Sequence, residues 1–444
     1  MLDDLLKLQG YEIENTHEDG PDIILDVSPR SKKRTCPICD KQAYRFGKRT
    51  QHYFDMPIHA KRVNLRIARQ RYRCHPCRKI FYDDLPLVDD NRRMTTRLIR
   101  HIETEALAKT FTEVAKDIGV TEGSVRLIFN DYIKRCEAEF TFATPNVLGI
   151  DEIHLLHRPR AIFTNIEKRT IVGVLKDRGT KTVAAFLRTL DKSAITCVTT
   201  DMWRGYHRAC AKALPGIPIV VDKFHVLRMA NKAVDDVRKM FGSENPAKKK
   251  KLLRSRHVLT KRASKLTLKQ QFKLYQIKSS FPLLASVYDA KEAFYGIYEC
   301  EDRQSAVKAY LRWRKGLGAD LERIFKELLT ATTNWNEPIF AYFDHRFTNA
   351  TTEALNSLSR KIEDEGRGYS FKVMRAKMLF SKKSHKVERF NRDRFVNYGA
   401  SIAAGSDRTV YSIRLHPSAG LVGSGHAQTP GRVGRFSTSD KKNK

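Results

Sequence analysis

The chain has 444 residues, room for about two to four domains and a sizeable core. Lys and Arg number 83 against 50 Asp and Glu, a formal net charge of +33, so the chain repels itself unless it meets a polyanion, with nucleic acid first in line. There is no run of about 18 apolar residues to span a bilayer, MLDDLLKLQG lacks the features of a signal peptide, and eight cysteines are too few for a disulfide framework, which points to a cytoplasmic protein with no membrane partner.

Residues 1–90 read as β-rich. Strands are expected near Tyr11–Asn15 and Ile23–Val27, with a turn at His17–Pro21 between them. Cys36-Pro37-Ile38-Cys39 and Cys74-His75-Pro76-Cys77 are two Cys-x-x-Cys knuckles, and Cys39 and Cys74 lie 35 positions apart. Four thiolates in two such pairs suit one tetrahedral, structural Zn²⁺. Between them Arg62–Arg73 alternates apolar and polar, which predicts a strand and so a zinc ribbon. Lys61–Lys79 holds eight Lys and Arg and no acid, so Arg66, Arg69, Arg71 and Arg73 are candidates for a phosphate-contacting face.

Residues 91–140 read as helical. A stripe at Leu98, Ile99, Ile102, Ala106 and Leu107 predicts a helix over Thr95–Lys109. A second helix at Thr112–Ile118 stops at Gly119, and Thr121 can cap a third through Ile133. That is helix-turn-helix spacing, with Glu122, Ser124 and Arg126 at the start of the recognition helix.

The stretch NVLGIDEIHLL, Asn146–Leu156, then opens a sheet. Its apolar run ends in Asp151, and ITCVTTD and PIVVD repeat the device with Asp201 and Asp222. Buried carboxylates are costly unless paired or metal-bound, so three such runs suggest one sheet delivering acids to one edge. The predicted order is β-β-β-α-β-α-β-α, that of a ribonuclease H-like fold. Residues 243–345 break it as a helical insertion. Lys248–Lys273 there has eleven basic residues and no acid, and Lys248, Lys249, Lys250 and Lys251 are candidate DNA contacts. Residues 396–444 are Gly- and Ser-rich with isolated basic residues, and read as a disordered basic tail. The fold class is therefore multidomain α+β: a zinc ribbon (1–90), a helix-turn-helix (91–140) and a ribonuclease H-like α/β domain (146–395) holding the insertion.

GID at 149–151, TDMWRGY at 200–206, VDKFHV at 221–226 and TNATTEALNSLSRKI at 348–362 resemble the ISL3 family of insertion-sequence transposases, with Ala354 where members commonly carry Gly. The resemblance covers roughly residues 30–380. It implies an Asp-Asp-Glu triad of Asp151, Asp201 and Glu353, with Asp222, His225, Asn349 and Asn356 as supporting residues. It also implies double-stranded DNA as partner, both transposon ends and target, and a homodimer or higher oligomer on that DNA in the bacterial nucleoid. Phosphodiester transfer suits two Mg²⁺ about 4 Å apart, with Mn²⁺ as a substitute. Asp151 would bridge both ions, Asp201 hold one and Glu353 the other. Asn349 and Asn356, at −4 and +3 from Glu353, would share its helix face and orient it or contact a phosphate. Two other readings stand at this point: a DNA-binding regulator with a dead sheet domain, and a nuclease of the same fold.

Overall fold

The computed structural model describes residues 8–30, 35–139, 142–244, 252, 254–366 and 368–381. Lys248–Lys251 and the 396–444 tail lie outside them. Among the described residues the chain begins with a seven-stranded sheet: β1 (Tyr11–Asp19), β2 (Asp22–Pro29), β3 (Tyr44–Ile58), β4 (Lys61–Arg73), β5 (Ile80–Tyr82), β6 (Val88–Asp89) and β7 (Met94–Thr95). The long antiparallel β3–β4 hairpin is its spine, and β2 runs parallel to β4. The alternation expected over Arg62–Arg73 is present, with Val63, Leu65 and Ile67 buried beside Tyr53, Leu25 and Val27. β1 runs on through His17, so the turn narrows to Gly20-Pro21.

Three helices follow: α1 (Thr96–Ala108), α2 (Phe111–Ile118) and α3 (Glu122–Glu139). Thr95 caps the first, and a Thr110–Glu113 capping box starts the second. Gly119 ends α2 at φ 81°, the left-handed turn a helix-turn-helix needs. A Cβ there would strain this left-handed turn and, at 2.0 Å from Arg62 Cδ, displace the arginine side chain against which it packs.

The second sheet contains β8 (Val147–Leu155), β9 (Arg158–Asn165), β10 (Thr170–Val174), β11 (Cys197–Thr200) and β12 (Ile219–Val221), in the order β10-β9-β8-β11-β12. The first three are antiparallel, and β8, β11 and β12 are parallel. With α4 (Thr180–Leu187), α5 (Arg204–Ala213) and α6 (Lys223–Glu244) this is the expected ribonuclease H-like order. The insertion is helical throughout its described length: α7 (Arg256–Leu259), α8 (Leu268–Ser280), α9 (Pro282–Ile297), α10 (Arg303–Lys315), α11 (Ala319–Ile324), α12 (Lys326–Asn334), α13 (Asn336–Phe340) and α14 (Tyr342–His345). It shares one core with α6 and β12, in which Val220, Val221, Val226 and Ala230 meet Leu284, Val287, Phe294 and Phe340. The chain then returns through α15 (Ala350–Glu365) and α16 (Phe371–Phe380). α16 ties the modules together. Buried Lys377 donates to the carbonyls of Ala106 and Lys109 at the end of α1, and Arg375 donates to the Val174 carbonyl of β10. Two orphan carbonyls of α1 are thereby satisfied by a cation, as a helix C-terminus favours.

Candidate active site

The acids of the second sheet are aligned by strand register. Thr199 of β11 pairs with Gly149 of β8, and Thr200 pairs with Val221 of β12. Continued by two residues and one residue, that register puts Asp201 level with Asp151 and with Asp222. Parallel strands in register send equivalent side chains to one face about 4.8 Å apart, so the three acids form a row. One expectation needs correction here. Asp151 does not end its strand: β8 continues to Leu155, paired with β9 throughout. The edge exists because β11 stops at Thr200, so Asp151 has no β11 residue paired to it although its side chain is buried.

α15 brings the fourth acid. It crosses β8 at Gly149, where a Cβ would sit 2.4 Å from Thr164 Oγ1 and 2.9 Å from Thr352 Oγ1. Glycine therefore permits the approach, and Thr164 and Thr352 bond at 2.7 Å beneath it. Glu353 stands in the first turn of α15, its side chain 42% exposed. Asn349 is the helix cap residue. It is fully buried, donates to the Ile150 carbonyl at 3.1 Å and accepts from Thr199 Oγ1. Asn356 donates to Asp151 Oδ2 at 2.9 Å. The expected roles of both amides change accordingly. They clamp β8 to β11 and hold Asp151, and neither orients Glu353. Helical spacing places them near Glu353, but the buried side of α15 faces the strands.

Burial pushes Asp151 up to about 7, and repulsion from Asp201, Glu353 and Asp222 adds to it, while the Asn356 bond opposes. Burial raises Asp201 and Asp222 as well. Such a group is a source of repulsion that a divalent cation relieves. Asp222 Oδ2 and His225 Nε2 are buried with no hydrogen-bond partner among the described residues. The donor set, four clustered acids with orphaned polar atoms, fits divalent ions.

At the other end of the chain, the four cysteine Sγ atoms all lie within 4.8 Å of one another, and Cys39 and Cys74 stand 3.5 Å apart. The knuckles are built alike. Cys36 N–H donates to the Lys41 carbonyl and Cys74 N–H to the Lys79 carbonyl, each at 2.9 Å. Asp40 and Arg78 turn the chain with φ of 52° and 53°. The backbone amide of Ile38 draws the Cys36 thiol down to about 7, while Cys39 beside it pushes Cys77 up to about 12. Four thiols so crowded suit one tetrahedral Zn²⁺.

A transposase domain model of the ISL3 group matches residues 148–378, just over half of the 444 residues. The chain belongs to the ISL3 transposase family. The model of that family's helix-turn-helix domain matches residues 84–133, and that of the zinc finger of IS204, IS1001, IS1096 and IS1165 transposases matches 32–77. The chain is also similar to the transposase for insertion sequence element IS1001 of Bordetella parapertussis, 21% identical over 383 residues, 83% of this chain and 94% of that relative.

For a transposase chain, the basic face of the ribbon differs from the one drawn from charge counting. Arg69 is buried, donates to the Asp83 carbonyl and pairs with Asp90 at 2.8 Å. Arg66 is held by Asp26 through two bonds. Charge counting misses this because the partners come from other strands and loops. Arg71 and Arg73 have no carboxylate partner among the described residues and stack on Phe46, their guanidinium carbons 5.4 and 5.5 Å from the ring centroid. The exposed start of β3 adds Arg45, Lys48 and Arg49, which the strand pattern alone did not single out. In the third helix, Glu122 and Arg126 pair with each other, and Ser124 bonds to Thr121 at 2.9 Å. Leu127 stands 67% exposed beside them. Arg178, also missed, pairs with Glu152, lies over the Trp203 ring and offsets part of the rise that burial gives Asp201.

The raised Asp151 carries a stability prediction. Its folded pKa of about 7 lies above the ordinary carboxylate value. Its contribution is therefore fully present below about pH 4 and is lost as pH rises towards 7. Asp151→Asn is expected to stabilise the metal-free protein at pH 8, by on the order of 4 kcal/mol, and to leave it unchanged near pH 4. Paired melting curves across pH check this. A difference that does not grow with pH contradicts it.

Proposed function

We propose that this ISL3 family member is an active transposase. It binds the terminal inverted repeats of its insertion sequence, cleaves strands there and transfers the ends to target DNA. The observation that supports this most is the gathering of Asp201, Asp222 and Glu353 near enough to Asp151 for their charges to repel it. Burying acids together is destabilising, and a domain used only for binding has no need of the arrangement. Asp151, Asp201 and Glu353 would hold Mg²⁺, with Mn²⁺ as a substitute, and Cys36, Cys39, Cys74 and Cys77 would hold one Zn²⁺. When bound, two divalent ions activate the attacking oxygen and stabilise the leaving one. The chain's own residues supply position. Asn356 fixes one oxygen of Asp151, the Glu152 and Trp203 amides bond Asp151 and Asp201, and Tyr206 donates to the Asp151 carbonyl.

The ribbon tip and the start of α3, with Glu122, Ser124 and Arg126, serve the DNA. Two ends must be processed, so a homodimer or larger oligomer assembles on DNA in the nucleoid. Full-length protein, a supercoiled plasmid carrying both ends and Mg²⁺ provide the test. Joined product supports a transposase, cleavage alone a nuclease, and binding alone a regulator.

Binding is expected to weaken steeply with salt as released counterions are taken back. Arg71→Gln with Arg73→Gln should lower the log–log salt slope by about 2, for end and random duplex alike. An unchanged slope means that the ribbon tip does not meet phosphates.

A further inference from the structure

Among the described residues two groups of side chains are close enough to share an ion. One is the four cysteines. The other is not the Asp151, Asp201 and Glu353 triad but Asp222, His225 and Glu353, whose ligand atoms lie within 4.8 Å of one another. Asp222 follows β12 directly, and His225 is in the first turn of α6. Helix capping accounts for only part of Asp222. Its Oδ1 takes the Phe224 amide at 3.4 Å, and the Asn349 amide also bonds to the carboxylate. Its Oδ2 has no partner although the residue is wholly buried. Core packing does not account for His225 either, because its Nε2 is also buried and unpartnered. Two orphaned polar atoms beside one carboxylate are each costly, and both are satisfied at once by a bound cation. A cation already stands near. Arg228, one turn along α6 from His225, donates to Glu353 at 3.2 Å. Its side chain is 67% exposed and free to withdraw.

We propose that Asp222, His225 and Glu353 form a mixed nitrogen–oxygen site for a divalent transition-metal ion, with Arg228 as the counter-charge when the site is empty. The proposal rests on the metal-dependent reading of Glu353 and adds a ligand set and a metal preference to it. Mg²⁺ is held by oxygen donors, whereas an imidazole suits later transition-metal ions such as Fe²⁺, Ni²⁺ and Zn²⁺, and two carboxylates beside it also admit Mn²⁺. One ion position of this protein therefore prefers a transition-metal ion to Mg²⁺, with Mn²⁺ as its paramagnetic probe, and its ligands come from α6 and α15 as well as the sheet.

The probe is Mn²⁺ added to zinc-loaded, full-length protein, read by pulsed electron paramagnetic resonance. Bound Mn²⁺ is expected to show a directly coupled nitrogen, which changes isotope pattern in protein grown with ¹⁵N-histidine. His225→Gln should abolish that coupling and raise the Mn²⁺ Kd at least tenfold, with the Mg²⁺ Kd changed less than threefold. Asp201→Asn should keep the coupling while losing cleavage. The labelled parent needs no substitution, so a variant that fails to fold does not spoil the test. Mn²⁺ bound without nitrogen coupling, no Mn²⁺ bound, or coupling that survives His225→Gln in a folded protein would each overturn the site. Nitrogen coupling in a parent that neither cleaves nor joins DNA would overturn the transposase reading and leave the site standing.

Discussion

Glu353→Gln is expected to lower metal-dependent cleavage of end DNA by about a thousandfold or more, with end binding and melting temperature nearly unchanged. The neutral amide keeps the shape of the side chain but lacks the charge that opposes a divalent ion. The stability cost is small because Glu353 is 42% exposed and its contacts are few: an ion pair to exposed Arg228 and a place in the first turn of α15. Glu363→Gln is the control on the same helix. Glu363 Oε1 accepts from the Leu156 amide at 2.5 Å, at the turn from β8 to β9. Glutamine keeps that acceptor, so cleavage should stay within about threefold of the parent. Near-parental cleavage by Glu353→Gln, or a dead Glu363→Gln, removes Glu353 from the site.

Loss of zinc is expected to disorder the ribbon tip and abolish preference for end DNA, leaving the second sheet folded. Structural zinc contributes about 10 kcal/mol or more to small zinc modules. Here the two ends of the ribbon sheet differ in support. Far from the knuckles, Tyr53, Val63, Leu65 and Ile67 are buried in a shared apolar core. Towards them, Tyr44–Thr50 is exposed along its whole length, and apolar packing alone does not hold it. Cys74→Ser should therefore raise amide exchange in residues 35–50 and 70–82 and leave Val63–Ile67 protected. Metal analysis should find one zinc per chain in the parent. A value near zero, or exchange unchanged by Cys74→Ser, contradicts the assignment.

Much of this architecture is legible in sequence because it is written in local patterns. Gly119 as a stop and Thr121 as a cap announce the paired helices, while the Thr110–Glu113 box starts the first of them earlier than the expected Thr112. The two knuckles sit where their Cys-x-x-Cys spacing puts them. The three apolar runs ending in Asp predict a common edge, and strand register aligns them. What is not legible depends on partners far along the chain. Asp151 lies mid-strand, and only the length of β11, some 50 residues on, leaves it unpaired on that side. Arg69 has the look of a surface charge until Asp90 and the Asp83 carbonyl bury it. Helical spacing brings Asn356 onto the face of Glu353, yet packing against β8 turns its amide to Asp151. Asp222 and His225 share a helix start, a pattern as common for caps as for ligands. Only the return of α15 after the whole insertion brings Glu353 against them.

The most direct measurement uses an end duplex already cut to expose its 3′ hydroxyl, a supercoiled target plasmid, Mg²⁺ and full-length protein. Joining is then isolated from cleavage. The label is expected to appear covalently in the target with the parent, and to fall by about a thousandfold or more with Asp151→Asn and with Asp201→Asn, both of which still bind the end. Joining that persists in Asp201→Asn, or a parent that binds and cuts the end but never joins it, would contradict the assignment of strand transfer to this carboxylate row.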